Sequence, residues 1–532
     1  MLYIIISSII YLIIFFGYGN LFNKRFNSNN LISFQLINGL LFTGVLSLIS
    51  AIFIPLNIYY EFGLISIGVV LAIYNRFWKY SWPKQKVFYL LCLICCFVGS
   101  MNAYIFDTFS YYFPTIKWLD DYGLVKGLAN FDFNLGQTSF WHIIQASFNQ
   151  TIDQYYKINV LITIIFILFL FEIKKLVYVI FLPVFFLFLA SPSPDLPIFI
   201  LSSIIILNWI IYQNKNSIGY GLVLSTFLVL IKPIAFVLPI FFLFLSFKDY
   251  KSFVKVYTIV CFLTILFIIK NIFLTGNITF PLAIGNLNFL EYSVPENVYH
   301  LSGIDGRYLI TSRESPVNYE DFKTWSLLKY YTYIFNNLHL SIYLYLFICI
   351  CNILFCIYAL YKKDNGLILL SILLLFKVIV FWIISIQYRF ILDGLLLICC
   401  FLMIRINFNQ NYLVILCILT SILLVFSNKI NRLNNINFMR GVVQYNIINV
   451  LYPYNYKVKI KKIRLSNFET NYVINSEVSA DAKQPTINYR LYKSYINKEQ
   501  IPILIDSTNI NKGFRVIYFN PQNENETDFI RQ

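Results

Sequence analysis

The stretch "FDTFSYYFPTIKWLDDYGLVKGLANFDFNLGQTSFWH", Phe106–His142, is a polar interval in a chain otherwise written in Ile, Leu and Phe. The sequence around it settles the class. Of 532 residues, 59% are hydrophobic and only 12% charged, with a mean hydropathy of +0.69. Soluble globular chains carry about twice that charged fraction, so these values indicate a polytopic membrane protein and exclude a nucleic-acid-binding domain. The first segment, "MLYIIISSIIYLIIFFGYG" (Met1–Gly19), lacks a basic leader and a small-x-small cleavage site, and reads as a retained first helix. The excess of Ile, Asn, Lys, Phe and Tyr points to an AT-rich bacterial genome, which makes the formal charge of +16 a poor guide to function. The ten cysteines all fall inside apolar runs, where they behave as small hydrophobes rather than as a disulfide or zinc framework.

A spanning helix needs roughly 20 apolar residues to cross about 30 Å of hydrocarbon. That ruler yields about fourteen segments, near 2–18, 32–55, 60–75, 87–105, 157–172, 175–190, 197–212, 217–231, 233–247, 254–273, 338–360, 366–386, 390–405 and 411–427. Basic residues gather in alternate loops: Lys24 and Arg25; Arg76, Lys79, Lys84 and Lys86; Lys174 and Lys175; Lys215; Lys248, Lys251 and Lys255; Lys362 and Lys363; and Arg405. By the positive-inside rule that set is cytoplasmic. The opening stretch, the N-terminus and the tail then lie outside.

The expected fold is therefore an all-α polytopic membrane module over residues 1–427, with outer loops at about 106–156 and 274–337, followed by a small extracytoplasmic α/β domain over 428–532. The tail is rich in Asn and Lys, and its short runs "IPILID" and "FRVIYF" read as strands. Its basic run "KVKIKKIRL", Lys457–Leu465, reads as a patch lying against anionic headgroups. Within the opening stretch, "SYYFPTIKWLDDYG" and "TSFWHIIQASF" have apolar residues at helical spacing, with a stop at Gly123 and caps at Thr138 or Ser139. Both are expected to be amphipathic helices in the outer interface.

The chemistry is expected where ionisable groups meet the membrane boundary. Asp107 directly follows the fourth span, and an ionised Asp at a helix centre costs roughly 2.5–3.5 kcal/mol, so its position implies a partner or a wet cavity. Asp195 lies in "ASPSPDLP", where prolines impose an irregular connection, and Lys232 precedes a proline in "LVLIKPIAF". Lys270 ends the tenth span and Arg389 lies in "SIQYRFILDG" between two late ones. Two carboxylates and three cations at one level suit a phosphate held by cations with a carboxylate left for acid or base work. Arg307, in "LSGIDGRYLITSRESP" of the late outer loop, is available for phosphate or a sugar acid, as is Arg313. His142, His300 and His339 have no metal-ligand spacing, so no metal is assigned to them.

These residues resemble the C-type (GT-C) integral membrane glycosyltransferases. More closely, "DTFSYYFPTIKWLDDYGLVKGLAN", "TSFWH", "SPSPDLP", "IKP", "KNIFLTGNITFP" and "YRF" are similar to an uncharacterised bacterial multi-pass family grouped with that superfamily. The resemblance covers about residues 100 to 400. It implies transfer of a sugar from a polyprenyl-phosphate-linked donor to an envelope glycan, lipid or protein acceptor on the outer side of the bacterial cytoplasmic membrane. It gives the acid/base role to Asp107, with Asp195, Asp120, Asp121 and His142 as further candidates, and phosphate binding to Lys270, Arg389 or Lys232. A divalent metal, Mg or Mn, is compatible with the resemblance, and no cofactor is certain. Two departures stand out: three additional spans precede the acidic loop, and Asp107-Thr108 stands where an acidic pair is common. Two other readings compete, an O-antigen-type polysaccharide polymerase or ligase and a transporter or flippase.

Overall fold

The computed structural model describes residues 1–26, 31–103, 105–311, 317–338, 340–406, 409–426, 447–453, 456–474 and 476–518. Each apolar run forms a helix, because a backbone without water must satisfy its own hydrogen bonds. Among the described residues six helices are long and apolar enough to cross a bilayer: Leu2–Leu21, Ile32–Phe53, Asp195–Tyr212, Tyr250–Thr275, Leu340–Lys362 and Asn365–Ile384. Eight further apolar helices, from Ile58–Tyr74 to Gln410–Val425, have 10–17 residues. Length thus separates six full spans from eight shorter helices among the fourteen runs. In two of the shorter ones a proline sits at the start: a 3-10 turn Leu176–Phe181 precedes Leu182–Leu189, and Pro233–Ala235 precedes Val237–Phe247.

The first three helices approach closely through small residues. Gly17 faces the backbone of Gly68, and Gly39 faces the Phe15 carbonyl at a separation no side chain would tolerate. The Ile158–Glu172 helix is buried on every side apart from its last residue. The outer helices instead expose apolar belts, such as Phe262, Ile265 and Ile269, or Phe347, Ile350 and Leu354. Belts of this size suit lipid rather than water.

One end of the bundle is polar and roofed. There the Met1 amino group donates to the Asn449 carbonyl at 2.5 Å, and the Tyr3 hydroxyl accepts from the Gln154 N–H at 3.0 Å. The N-terminus, the 106–157 segment and the start of the C-terminal region therefore share that end. Near the other end the Glu172 carboxylate accepts from the N–H groups of Ile32 and Ser33, at 2.6 and 3.2 Å, where the helix dipole favours an anion.

The roof is the C-terminal domain. Strands β1 (Lys459–Leu465), β2 (Phe468–Ile474) and β3 (Thr486–Ile487) form a sheet in that order, antiparallel then parallel. After the Tyr489–Lys498 helix, β4 (Gln500–Leu504) and β5 (Phe514–Tyr518) pair antiparallel, so "IPILID" and "FRVIYF" are strands as read. The basic run forms a strand from Lys459 onward. It is the edge strand β1, whose exposed Lys459, Lys461, Lys462 and Arg464 guard an open sheet edge. The expected domain boundary near residue 428 lies outside the described residues.

The opening stretch also differs from expectation. It enters as a π-helical turn, Thr108–Tyr112, continues as Phe113–Tyr122, and stops at Gly123, whose φ of +76° suits glycine. Ser139 caps the second helix, Phe140–Ala146, by accepting from the Trp141 N–H. Neither helix is an interfacial float. All seven residues of Phe140–Ala146 are buried, and the roof covers Phe113–Tyr122. Tyr122 donates to the Gln484 carbonyl, Asp121 accepts from the Gln484 N–H, and the Trp118 ring meets Phe514 edge-on. An apolar helix face looks the same in sequence whether lipid or protein covers it. The late 274–337 segment holds helices Glu296–Thr311, Tyr319–Lys323 and Leu327–Asn336.

Candidate functional site

Four segments distant in sequence bring their charges together at the roofed end. Asp107 immediately precedes the π-helical turn. Asp195 is the first residue of its helix, after the "SPSP" turn. Lys232 ends the Lys215–Ile231 helix in an extended conformation (φ −156°, ψ 126°), which the following Pro233 favours. Arg389 sits in the short 3-10 turn Tyr388–Phe390 between two late helices.

The four form one chain of ion pairs. Lys232 Nζ lies 2.5 Å from Asp195 Oδ1, Asp195 Oδ2 lies 3.9 Å from Arg389 Nη1, and the same Nη1 lies 2.8 Å from Asp107 Oδ2. Two acids and two bases leave the chain with no net charge. Asp195 is sealed at 1% side-chain exposure, whereas Lys232, Arg389 and Asp107 keep 16%, 22% and 23%. The Phe390 ring lies against both cations, 4.8 Å from Lys232 Nζ and 5.4 Å from Arg389 Cζ.

The surrounding turns are fixed from behind. The Asn159 amide donates to the carbonyls of Phe188, Ser191 and Ser193, which holds the "SPSP" turn in place. Lys157 is buried and donates to the Ala190 carbonyl at 2.6 Å and that of Met101 at 3.4 Å. The Thr108 and Ser191 hydroxyls share a bond of 2.7 Å, which ties the Asp107 turn to the Asp195 turn.

Beside the ion-pair chain opens a narrow cleft of about 470 Å³ counting its mouth, bounded by Tyr111, His142, Lys232, Lys270 and Asn271 and by Phe280 and Pro281. Lys270 lies within its helix, Val254–Thr275, rather than at the end, and donates to the Thr138 carbonyl at 2.7 Å. No carboxylate pairs with it among the described residues. His142 is 1% exposed and neither ring nitrogen makes a well-formed hydrogen bond; the Pro192 carbonyl is the backbone acceptor it approaches. Burial, reinforced by the Lys270 and Lys232 charges, holds the imidazole neutral and pushes its pKa down to about 3.

Other expected site residues lie elsewhere. Arg307 donates to the Gly303 carbonyl of its own helix and is not among the residues that line this cleft. Asp120 accepts from Lys117 at 3.3 Å and Asn149 at 2.7 Å, and Asp121 accepts from the roof; both anchor the Phe113–Tyr122 helix rather than face the cleft. His300 is exposed. Arg313 and His339 lie outside the described residues. No group of three or more His, Cys, Asp or Glu side chains able to hold a metal forms among the described residues. Both carboxylates of the chain are taken up by cations, so this donor set does not fit Mg or Mn.

Sequence reasoning gave no role to the buried charges Glu61, Lys157, Lys377 and Asp393. Lys377 and Asp393 pair at 2.6 Å with 1% and 4% exposure, between helices Asn365–Ile384 and Leu392–Met403. Opposite charges in two neighbouring apolar runs were the available signal.

Residues 1–396 match the family described as "Domain of unknown function (DUF8201)". The chain belongs to this family. Comparison with curated proteins and with solved structures returned no match. The DUF8201 region contains Asp107, Asp195, Lys232, Lys270 and Arg389 together with the buried Lys377–Asp393 pair, and it ends before the C-terminal domain.

Proposed function

We propose that this protein is a C-type membrane glycosyltransferase that moves a sugar from a polyprenyl-phosphate-linked donor to an envelope glycan, lipid or protein acceptor. The observation that carries this reading is the ion-pair chain Lys232–Asp195–Arg389–Asp107, partly open and adjoining a cleft that contains one further cation, Lys270. A donor phosphate entering there competes for Arg389, whose planar guanidinium binds two phosphate oxygens as well as it binds a carboxylate. That exchange frees Asp107. Its carboxylate then takes the proton of the acceptor hydroxyl while the acceptor oxygen bonds to the sugar C1 and the bond from C1 to the phosphate oxygen breaks. Fixed cations stabilise the departing phosphate charge where water is scarce.

In this reading the fourteen apolar helices cross or enter the bacterial cytoplasmic membrane, with both termini and the roofed end on the outer side. The basic set supports that orientation: Lys215 pairs with Asp249, and Lys175 donates to the Ile404 carbonyl, both in the loops assigned to the cytoplasm. The sealed Lys377–Asp393 pair is the one observation that favours a transporter instead, since charges inside a bundle often mark an ion path.

The test is glycan profiling of envelopes from a deletion strain complemented with wild type, Asp107→Asn or Arg389→Gln at matched protein levels. A sugar restored by wild type alone is expected. Equal restoration by both variants removes this site from the chemistry, and no glycan difference at all brings the transporter forward.

A further inference from the structure

His142 has no part in the ion-pair chain, yet it has the features of a ligand contact. It is buried, it lines the cleft, both of its nitrogens lack a well-formed hydrogen bond, and a buried polar group left in that state is destabilising unless a ligand satisfies it. The groups around it are the two ammonium ions of Lys232 and Lys270, the rings of Tyr111 and Tyr112, and the Pro192 carbonyl; the Tyr112 centroid is 4.9 Å away. Behind Lys232 stand Asp195 and Arg389. No carboxylate lines the cleft itself among the described residues.

We infer that His142 is a proton-linked anion contact: a phosphate oxygen seated between Lys232 and Lys270 draws a proton onto the imidazole, which then donates a hydrogen bond to that oxygen. The reason is electrostatic. Two cations oppose protonation of the ring in the empty cleft, and an anion that neutralises them removes that opposition and adds an attraction of its own. Binding of phosphate therefore takes up a proton. If the transfer reading holds, the step closes in balance: the imidazolium gives its proton to the phosphate oxygen that leaves C1, while Asp107 carries the proton from the acceptor hydroxyl. The proton-linked contact itself does not depend on that reading.

The chain contains three histidines, so the protein labelled at histidine with nitrogen-15 gives few ring signals to separate. His142→Gln assigns the resonance, and His300→Gln with His339→Gln assigns it by exclusion if the first variant folds poorly. The full-length protein in detergent is titrated without ligand, with inorganic phosphate, and with a short-chain alkyl phosphate. Without ligand the ring is expected to stay neutral to about pH 5 or below. Either phosphate should raise the midpoint by roughly three units, to near neutral pH, and Lys270→Gln should blunt the rise. The larger shift of the two tells a lipid phosphate from a free one. A midpoint that neither ligand moves in the folded protein overturns the inference. A ligand-induced shift in a protein without transfer activity supports the contact and removes only the transferase reading.

Discussion

Two sets of buried opposite charges lie in this bundle, and they differ in access rather than in chemistry. The chain from Lys232 to Asp107 keeps three of its four members between 16% and 23% exposed and borders a cleft. The pair of Lys377 and Asp393 is sealed at 1% and 4% between two helices. A charge that a ligand can reach is able to exchange its partner, whereas a sealed one only holds helices in register. The comparison separates residues expected to matter for turnover from residues expected to matter for folding.

The largest expected effect is on turnover. Asp107→Asn should lower transfer about 10²- to 10⁴-fold, the range for loss of a general base, and change unfolding stability by less than about 1 kcal/mol because the pair is partly solvated. Parallel losses of activity and melting temperature in detergent would erase the distinction between the two sets. Next comes the sealed pair. Lys377→Met should destabilise by about 3–5 kcal/mol by stranding Asp393, and the double change Lys377→Met with Asp393→Leu should recover most of that. Thermal unfolding of the three proteins measures it, and a harmless single change would show that water reaches the pair.

A third buried charge sharpens the comparison through its pH dependence. Burial outweighs the nearby Lys117 and pushes the Asp120 carboxyl up to about 8, well above its ordinary range. A carboxyl raised in the folded state contributes stability that is full below its unfolded value, about 3.9, and is lost as the pH rises through the folded one. The melting temperature should therefore fall between roughly pH 4 and pH 8, and Asp120→Asn should flatten that slope. An unchanged slope in the variant would assign the pH dependence to other groups.

Much of the site was legible because ionisable residues in apolar text are conspicuous. Asp107, Asp195, Lys232, Lys270 and Arg389 each interrupt or end a hydrophobic run, and prolines beside Asp195 and Lys232 announced irregular backbone. His142 was visible only as a histidine in a polar interval, because what matters about it is the lack of a bonded partner beside two lysines. Arg307 read as a phosphate ligand by residue type alone, and its helix places it away from the cleft. The interfacial helices were misread for a related reason: the cover over Phe113–Tyr122 comes from Gln484 and Phe514, more than 350 residues later.

Hydropathy by itself determined the class of this protein, the positions of the fourteen apolar helices among its described residues and two strands of its tail, because each follows from the transfer of nearby residues out of water. Which charge meets which was decided by the tertiary structure alone. Asp107 finds Arg389 across 282 positions of chain, and Tyr122 finds the Gln484 carbonyl across 362. Such pairings depend on the packing of helices whose apolar faces are nearly interchangeable in sequence, so the residues of the site could be named in advance but their partners could not.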